Sequence, residues 1–222
     1  MSPGTHFLTG WILANCARLD RKERALVTLA CVVPDVDGLG IVPELLTSNS
    51  VHPLNWFTLY HHRLHTLAFS LVVAALASVL ANQKWKTGWL ALLSFHIHLF
   101  EDMLGSRGPD GYQWPIPYLS PFSSAVQLSW HGQWALNAWP NLVITIALLL
   151  LTLELAWWRG FSPLEMISTK ADLVFVAALR KRFPRRMEVY PLYLAVVGSK
   201  ESRAYPKHLR NFPAWLSNPG NT

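Results

Sequence analysis

Apolar residues recur at helical spacing along most of the chain and divide it into a short series of expected helices. Ser2-Pro3 supplies an N-cap with proline in the first turn, so a helix carrying His6 is expected to run to about Ala17. Asp20-Arg21-Lys22-Glu23 reads as a capping box, which starts a second helix from Arg21 to Val33. Pro34 stops it, and Pro34-Asp35-Val36-Asp37-Gly38 reads as a turn. After a loop, a third helix is expected from about Asn55, through a histidine cluster, to Asn82, and a fourth from about Thr87 to Leu104. Residues 105–137 are rich in Gly, Pro and Ser and lack a helical period, and a loop that long suits a lid or binding element. A further helix covers Trp139–Trp158. Ser162-Pro163-Leu164-Glu165 is another N-cap and capping-box signal, followed by Leu164, Ile167, Val174, Phe175, Ala178 and Leu179 along one face of an amphipathic helix ending at Arg180-Lys181-Arg182. The expected fold class is therefore an all-α helical bundle.

Composition moves that bundle toward lipid. The 222 residues are 51% hydrophobic and only 14% charged, against about 25% charged in ordinary soluble domains. Trp139–Trp158 holds Glu154 as its one ionisable residue and carries tryptophans at both ends, the pattern of a bilayer-spanning helix. Thr66–Asn82 has no charge but sits at the lower limit of spanning length, so it serves equally as a second membrane segment or a buried core helix. One or more membrane-embedded helices are expected. The first twenty residues lack the basic start and continuous apolar run of a cleavable signal peptide. Cys16 and Cys31 are the only cysteines and read as two buried thiols, with neither a disulfide framework nor a cysteine-based zinc site.

Charge then separates the two ends of the chain. Residues 159–222 hold 11 Lys/Arg against 4 Asp/Glu, whereas residues 1–158 hold 8 against 9. The basicity belongs to the tail, which by the positive-inside rule is expected on the cytoplasmic side of the membrane, in contact with membrane lipid. No nucleic-acid motif or aromatic-interleaved basic patch accompanies it, which disfavours nucleic acid as a partner. Residues 1–160 are thus expected to form a helical membrane domain, and 161–222 an amphipathic helix with a basic cytoplasmic tail.

Eight of the nine histidines precede residue 132, most of them beside carboxylates or other histidines in apolar surroundings. Imidazole with carboxylate suits zinc, manganese or iron and is a poor set for magnesium or calcium. On a continuous third helix His61, His62 and His65 would share an arc of about 100°. His98 and Asp102, four residues apart, share a helix face with Glu101 beside them, while His96 points away and reads as a packed histidine. Taken alone, Asp35 and Asp37 read first as plain turn chemistry. Ionisable groups gathered in apolar helices are nevertheless costly and tend to be functional.

His6, Pro34-Asp35-Val36-Asp37, His61-His62-Arg63-Leu64-His65 and His98-Leu99-Phe100-Glu101-Asp102 together resemble the YdjM-type family of inner-membrane proteins regarded as metal-dependent hydrolases. The resemblance covers roughly residues 1–182, and its motif arrangement is similar to that of the helical zinc-dependent phospholipase C and nuclease fold. It departs in the central motif, which closes on His65-Thr66 at shorter spacing, so the choice of ligands among His61, His62 and His65 stays open. The resemblance implies a divalent metal, with zinc the expected ion, held by His6, Asp35, Asp37, His62, His65, His98 and Asp102, and a phosphoester substrate. Glu101 is then the candidate general base, or a residue that orients a ligand. The rival reading is a non-catalytic membrane protein in which the same residues hold a structural metal or polar core and the tail binds a partner.

Overall fold

A computed structural model describes residues 1–108 and 111–184 of the chain; the basic tail from 185 on, and the reading of it above, lie outside the described residues. Helix α1 (Pro3–Asn15) starts where the Ser2 hydroxyl accepts the Thr5 N–H, and α2 (Arg21–Ala30) starts on the full Asp20/Glu23 capping box. Both local signals act as elementary capping chemistry requires. The two helices pack closely because Gly10 has no side chain: a Cβ there would meet Cys31 Cβ at 2.7 Å and the Thr28 carbonyl at 2.8 Å. That close approach holds His6, one turn earlier on α1, against the end of α2.

Beyond α2 the Pro34 segment is a 3-10 helix, Val33–Gly40, continued by α3 (Ile41–Thr47). The stretch read as loop before residue 55 therefore contains a helix. A larger correction concerns the third expected helix. Asn55–Asn82 is broken into α4 (Trp56–Tyr60), a turn over 61–66, and α5 (Leu67–Leu80). His61, His62 and His65 consequently sit in the turn and share no helical arc; His62 lies at φ 73°, in the left-handed region. The break has local causes. Thr66 caps α5 through Phe69 N–H, and the Leu67 N–H leaves the helical pattern to donate to the Tyr118 carbonyl.

Helix α6 (Lys84–Gly105) packs along α5, α2 and α1, burying Ala91, Phe95, His98, Leu99 and Asp102. Among the described residues of the segment that follows, Arg107 bridges to Ala135 and Ile116 to Leu128, and Ile116 fills the core against Phe95 and Leu99. Helix α7 (Trp139–Arg159) packs on α1 and ends at Gly160 in the left-handed conformation (φ 80°). Its 21 residues include an 18-residue stretch of mean hydropathy 1.8, which makes it long and apolar enough to cross a membrane. Trp139, Leu142, Val143 and Leu150 stand exposed along it. Arg21–Ala30 and Val33–Thr47, bent by 52° to each other, pass the same test only as a pair.

The chain ends its described course in a 3-10 turn, Pro163–Met166, and α8 (Thr169–Arg182). Ser162 caps the turn through Leu164 N–H, but the expected capping box does not form, because Glu165 is drawn into a bidentate pair with Arg24. Cys31 is buried as expected; Cys16, just past the end of α1, is exposed, which corrects the reading of two buried thiols. Residues 1–179 form one compact unit, and the chain from Arg180 onward belongs to a second.

Candidate metal centre

Four elements deliver polar side chains to one point inside the apolar bundle. Helix α1 brings His6, the 3-10 helix brings Asp35, and α6 brings His98 and Asp102 on one face, four residues apart. One ligand-type atom from each of these four lies within 4.8 Å of all the others. His6 Nε2 is 3.1 Å from Asp102 Oδ1 and 3.9 Å from Asp35 Oδ2. His98 Nε2 is 3.2 Å from Asp102 Oδ2 and 3.7 Å from Asp35 Oδ1. Donor atoms placed tetrahedrally at bonds of about 2.0–2.1 Å stand roughly 3.3 Å apart, so His6, Asp35, His98 and Asp102 could hold a metal ion after a small contraction. The fourth element supplies His65, whose Nε2 reaches 3.4 Å from Asp102 Oδ2 and 3.1 Å from His98 Nε2. The α-amino group of Met1 also pairs with Asp102.

Neighbouring groups aim the rings. His98 Nδ1 donates to the Cys31 carbonyl at 2.8 Å, which leaves the Nε2 lone pair of the neutral ring facing the centre. His6 Nδ1 meets Glu101 Oε2 at 2.6 Å, and the other Glu101 oxygen accepts the Thr9 hydroxyl at 2.6 Å. Glu101, buried like His6, thus touches the centre through His6. This is the arrangement of a carboxylate that orients a metal-binding histidine. Thr9 and the Cys31 carbonyl could not be picked out by residue type, because neither is a group that marks a metal site in a sequence.

The electrostatics follow from crowding. Burial works against charge on His6, yet hydrogen bonding and the charge of Asp102, with Glu101 adding, outweigh it and raise its pKa to about 9. Burial likewise opposes charge on His65, but Asp102, Asp35 and Asp37 raise it to about 10. For His98 burial prevails and the pKa is lowered. Burial opposes ionisation of Asp102 too, but the charges of His98, the Met1 amino group and His6 hold its pKa well below the ordinary value. One acceptor is left over: Asp35 Oδ2 is buried and has no hydrogen-bond partner among the described residues. A buried carboxylate oxygen without a donor fits a cation position.

A second group adjoins the first through His65. Its Nδ1 lies 3.8 Å from Asp37 Oδ2, and Asp37 Oδ1 lies 3.1 Å from His61 Nδ1. The His62 ring centre is 4.2 Å from that of His61 and 4.5 Å from that of His65, and its buried Nδ1 has no partner among the described residues. Burial, with His65 and His61 close by, lowers the His62 pKa to about 3, leaving a neutral ring. His61, undecided among the candidates, is placed by the structure directly against Asp37. Asp37 also accepts the Leu64 N–H, so it holds the turn that presents these histidines.

His61 and His62 form part of the wall of an open cleft of about 560 Å³, with Arg63, Tyr112, Trp114, Ser120, Ser123 and Ser124. Trp114 stands over both rings, 5.3 Å from each. The 105–137 segment therefore contributes Tyr112 and Trp114 to the cleft. Tyr118 Oη bonds His96 Nε2 at 3.0 Å, while His96 Nδ1 meets the Leu92 carbonyl, so His96 is a packed histidine. His131 is held through its backbone carbonyl, which accepts from Gln113.

The family model described as YdjM inner membrane protein matches residues 1–182 of the chain. No curated protein and no solved structure matches it.

Proposed function

Because the chain belongs to the YdjM inner membrane protein family, we propose that it is a membrane-bound, metal-dependent hydrolase acting on phosphoesters at the cleft beside His61 and His62. The observation that carries this reading is the convergence of His6, Asp35, His65, His98 and Asp102 at ligand spacing, with a donorless Asp35 oxygen among them. Two imidazoles with two carboxylates form a set that zinc fits, as do manganese and iron. His6, Asp35, His98 and Asp102 would hold one ion, with His65 Nε2 beside them. Asp37, His61 and His62 would supply a second set at the floor of the cleft. Such an ion, when bound, supplies Lewis acidity toward a phosphoryl oxygen and toward water.

The protein's own groups do the rest. Glu101 and the Cys31 carbonyl hold the His6 and His98 rings so that each turns Nε2 inward. We assign Glu101 this positioning role in preference to that of general base, since both its oxygens are engaged. Arg63 and three serines line the cleft, and no Asp or Glu does so among the described residues, which suits an anionic substrate. Trp114 and Tyr112 give an aromatic wall against which the organic part of an ester can pack.

The second reading, a structural metal in a non-catalytic protein, is favoured by the near-complete burial of His6, His98 and Asp102. The cleft-facing pair His61 and His62 distinguishes the two, because a closed structural site needs no such opening. The test is metal analysis of the detergent-purified protein followed by an untargeted phosphatase, phosphodiesterase and esterase screen. Metal-dependent turnover on a phosphoester that disappears in His98→Ala is the expected result. Stoichiometric metal with no turnover on any ester class would leave the structural reading standing.

A further inference from the structure

We propose that α7 carries the molecule across the bilayer with the metal centre and its cleft on the extracytoplasmic side, opposite the basic end of the bundle. The inference rests on the membrane-spanning part of the reading above and is independent of any hydrolytic activity. The occupant it assigns to the exposed apolar face of α7 is the lipid bilayer. From Asn141 to Arg159 the helix rises about 27 Å at 1.5 Å per residue, close to the roughly 30 Å of a hydrocarbon core.

The two ends of α7 have different neighbours. At its start, Asn141 donates to the Gly105 carbonyl at 2.8 Å and accepts from Trp134 Nε1, and Thr145 Oγ1 meets Thr5 Oγ1 at 2.7 Å. Gly105 closes the helix that bears His98 and Asp102, and Thr5 precedes His6. The metal centre therefore belongs to the Trp139 end. At the other end Arg159 reaches the Asn15 carbonyl at 3.1 Å. There Lys86 and Gln83 donate to the Arg18 carbonyl, Asn82 to Asp20, and Arg24 to Glu165.

Those contacts bring Arg18, Arg24, Lys86 and Arg159 to one end, where Arg21 and Lys22 also lie beside Asp20 and Asn82 and Lys84 adjoins Gln83 in the sequence, whereas among the described residues the end with the metal centre holds Arg63, beside His62 in the cleft wall, and Arg107, two residues past Gly105. Along the sequence the bias is the same: residues 119–138, just before α7, contain no Lys or Arg, and residues 159–182 contain five. Positive charge beside a span stays on the cytoplasmic side. Charge count gives the side of the basic end, and the fold places the centre at the opposite one.

Two cysteine positions report the two ends. Cys16 is exposed at the basic end, and Cys31 is buried. Ala125 is exposed beside the cleft-lining Ser124. Spheroplasts of a Gram-negative host expressing the full chain would be treated with a membrane-impermeant maleimide before and after lysis. The expected result is labelling of the Cys16→Ser, Ala125→Cys double variant in intact spheroplasts, with wild-type Cys16 labelled only after lysis. The reverse pattern would overturn the orientation. Labelling of both positions from the same side would overturn the span itself. Neither result bears on whether the centre binds metal, which the hydrolase screen and metal analysis read separately.

Discussion

Both ends of the bundle bury charged side chains, and they do so in opposite ways. At the basic end Glu23 is fully buried and every oxygen is matched: Oε1 accepts the Gln83 N–H at 2.6 Å, and Oε2 accepts Asp20 N–H and Gln83 Nε2. Arg24 makes two 2.7 Å bonds to Glu165, a third to the Leu19 carbonyl, and lies 3.9 Å over the Phe161 ring. Around Glu23 and Arg24 donors and acceptors cancel. At the other end acceptors and ring nitrogens crowd together and do not cancel: Asp35 Oδ2, His62 Nδ1 and His65 Nδ1 have no hydrogen-bond partner among the described residues, and two histidines face each other Nε2 to Nε2. A buried polar cluster that closes on itself is a clasp. One that leaves inward-facing lone pairs fits a cation.

The comparison breaks first at Asp102. Replacing it with alanine removes the carboxylate that faces His6, His65 and His98 together, so metal content should fall from stoichiometric to near zero and phosphoester turnover by at least about 100-fold. Elemental analysis of the purified variant reads this directly. Retained metal would mean that the cluster is a polar core.

Glu23→Ala is the counterpart at the basic end. It leaves the Gln83 and Asp20 N–H groups without their acceptor, at a cost of roughly 3 kcal/mol in stability. Thermal unfolding in detergent should show a lowered Tm, while metal per folded molecule stays unchanged. A loss of metal without loss of stability would erase the distinction between the ends.

Glu101→Gln sharpens the picture within the metal centre. If Glu101 acts by holding the His6 ring, metal affinity should weaken by about 10- to 100-fold, with the ion still bound at saturating concentration. Competition against a chelator of known affinity measures the shift. Full affinity with abolished turnover would instead return Glu101 to the role of general base.

The smallest effect is a proton count. His6 at about 9 and His65 at about 10 both carry their protons at neutral pH in the metal-free centre. A cation must displace them, so binding should release protons and weaken as pH falls below about 9. Titration calorimetry at pH 7.5 in buffers of different ionisation enthalpy should give a buffer-dependent heat. A heat independent of buffer would contradict the placement of these rings among the ligands.

Much of this centre was legible in the sequence because its parts obey local rules. His98 and Asp102 share a helix face by their spacing, Asp35 follows the proline in the first turn of the 3-10 helix, and His6 sits one turn into a capped helix. The histidine turn was not legible. Tyr60-His61-His62-Arg63-Leu64-His65 has no glycine or proline to interrupt a helix, and its bend depends on distant partners: Asp37 holds the Leu64 N–H, and the Tyr118 carbonyl takes the Leu67 N–H. Tertiary contacts of this kind override local periodicity. Glu165 shows the same limit, since its capping role was lost to Arg24 on another helix.

The central claim is that His and Asp side chains, without cysteine, bind a transition metal at this point. X-ray absorption at the metal edge of protein purified from zinc-supplemented cells tests it most directly. The account predicts one or two ions per chain with a shell of nitrogen and oxygen at about 2.0–2.1 Å and the outer scattering of imidazole rings. Absence of stoichiometric metal, or a sulfur shell near 2.3 Å, would contradict it.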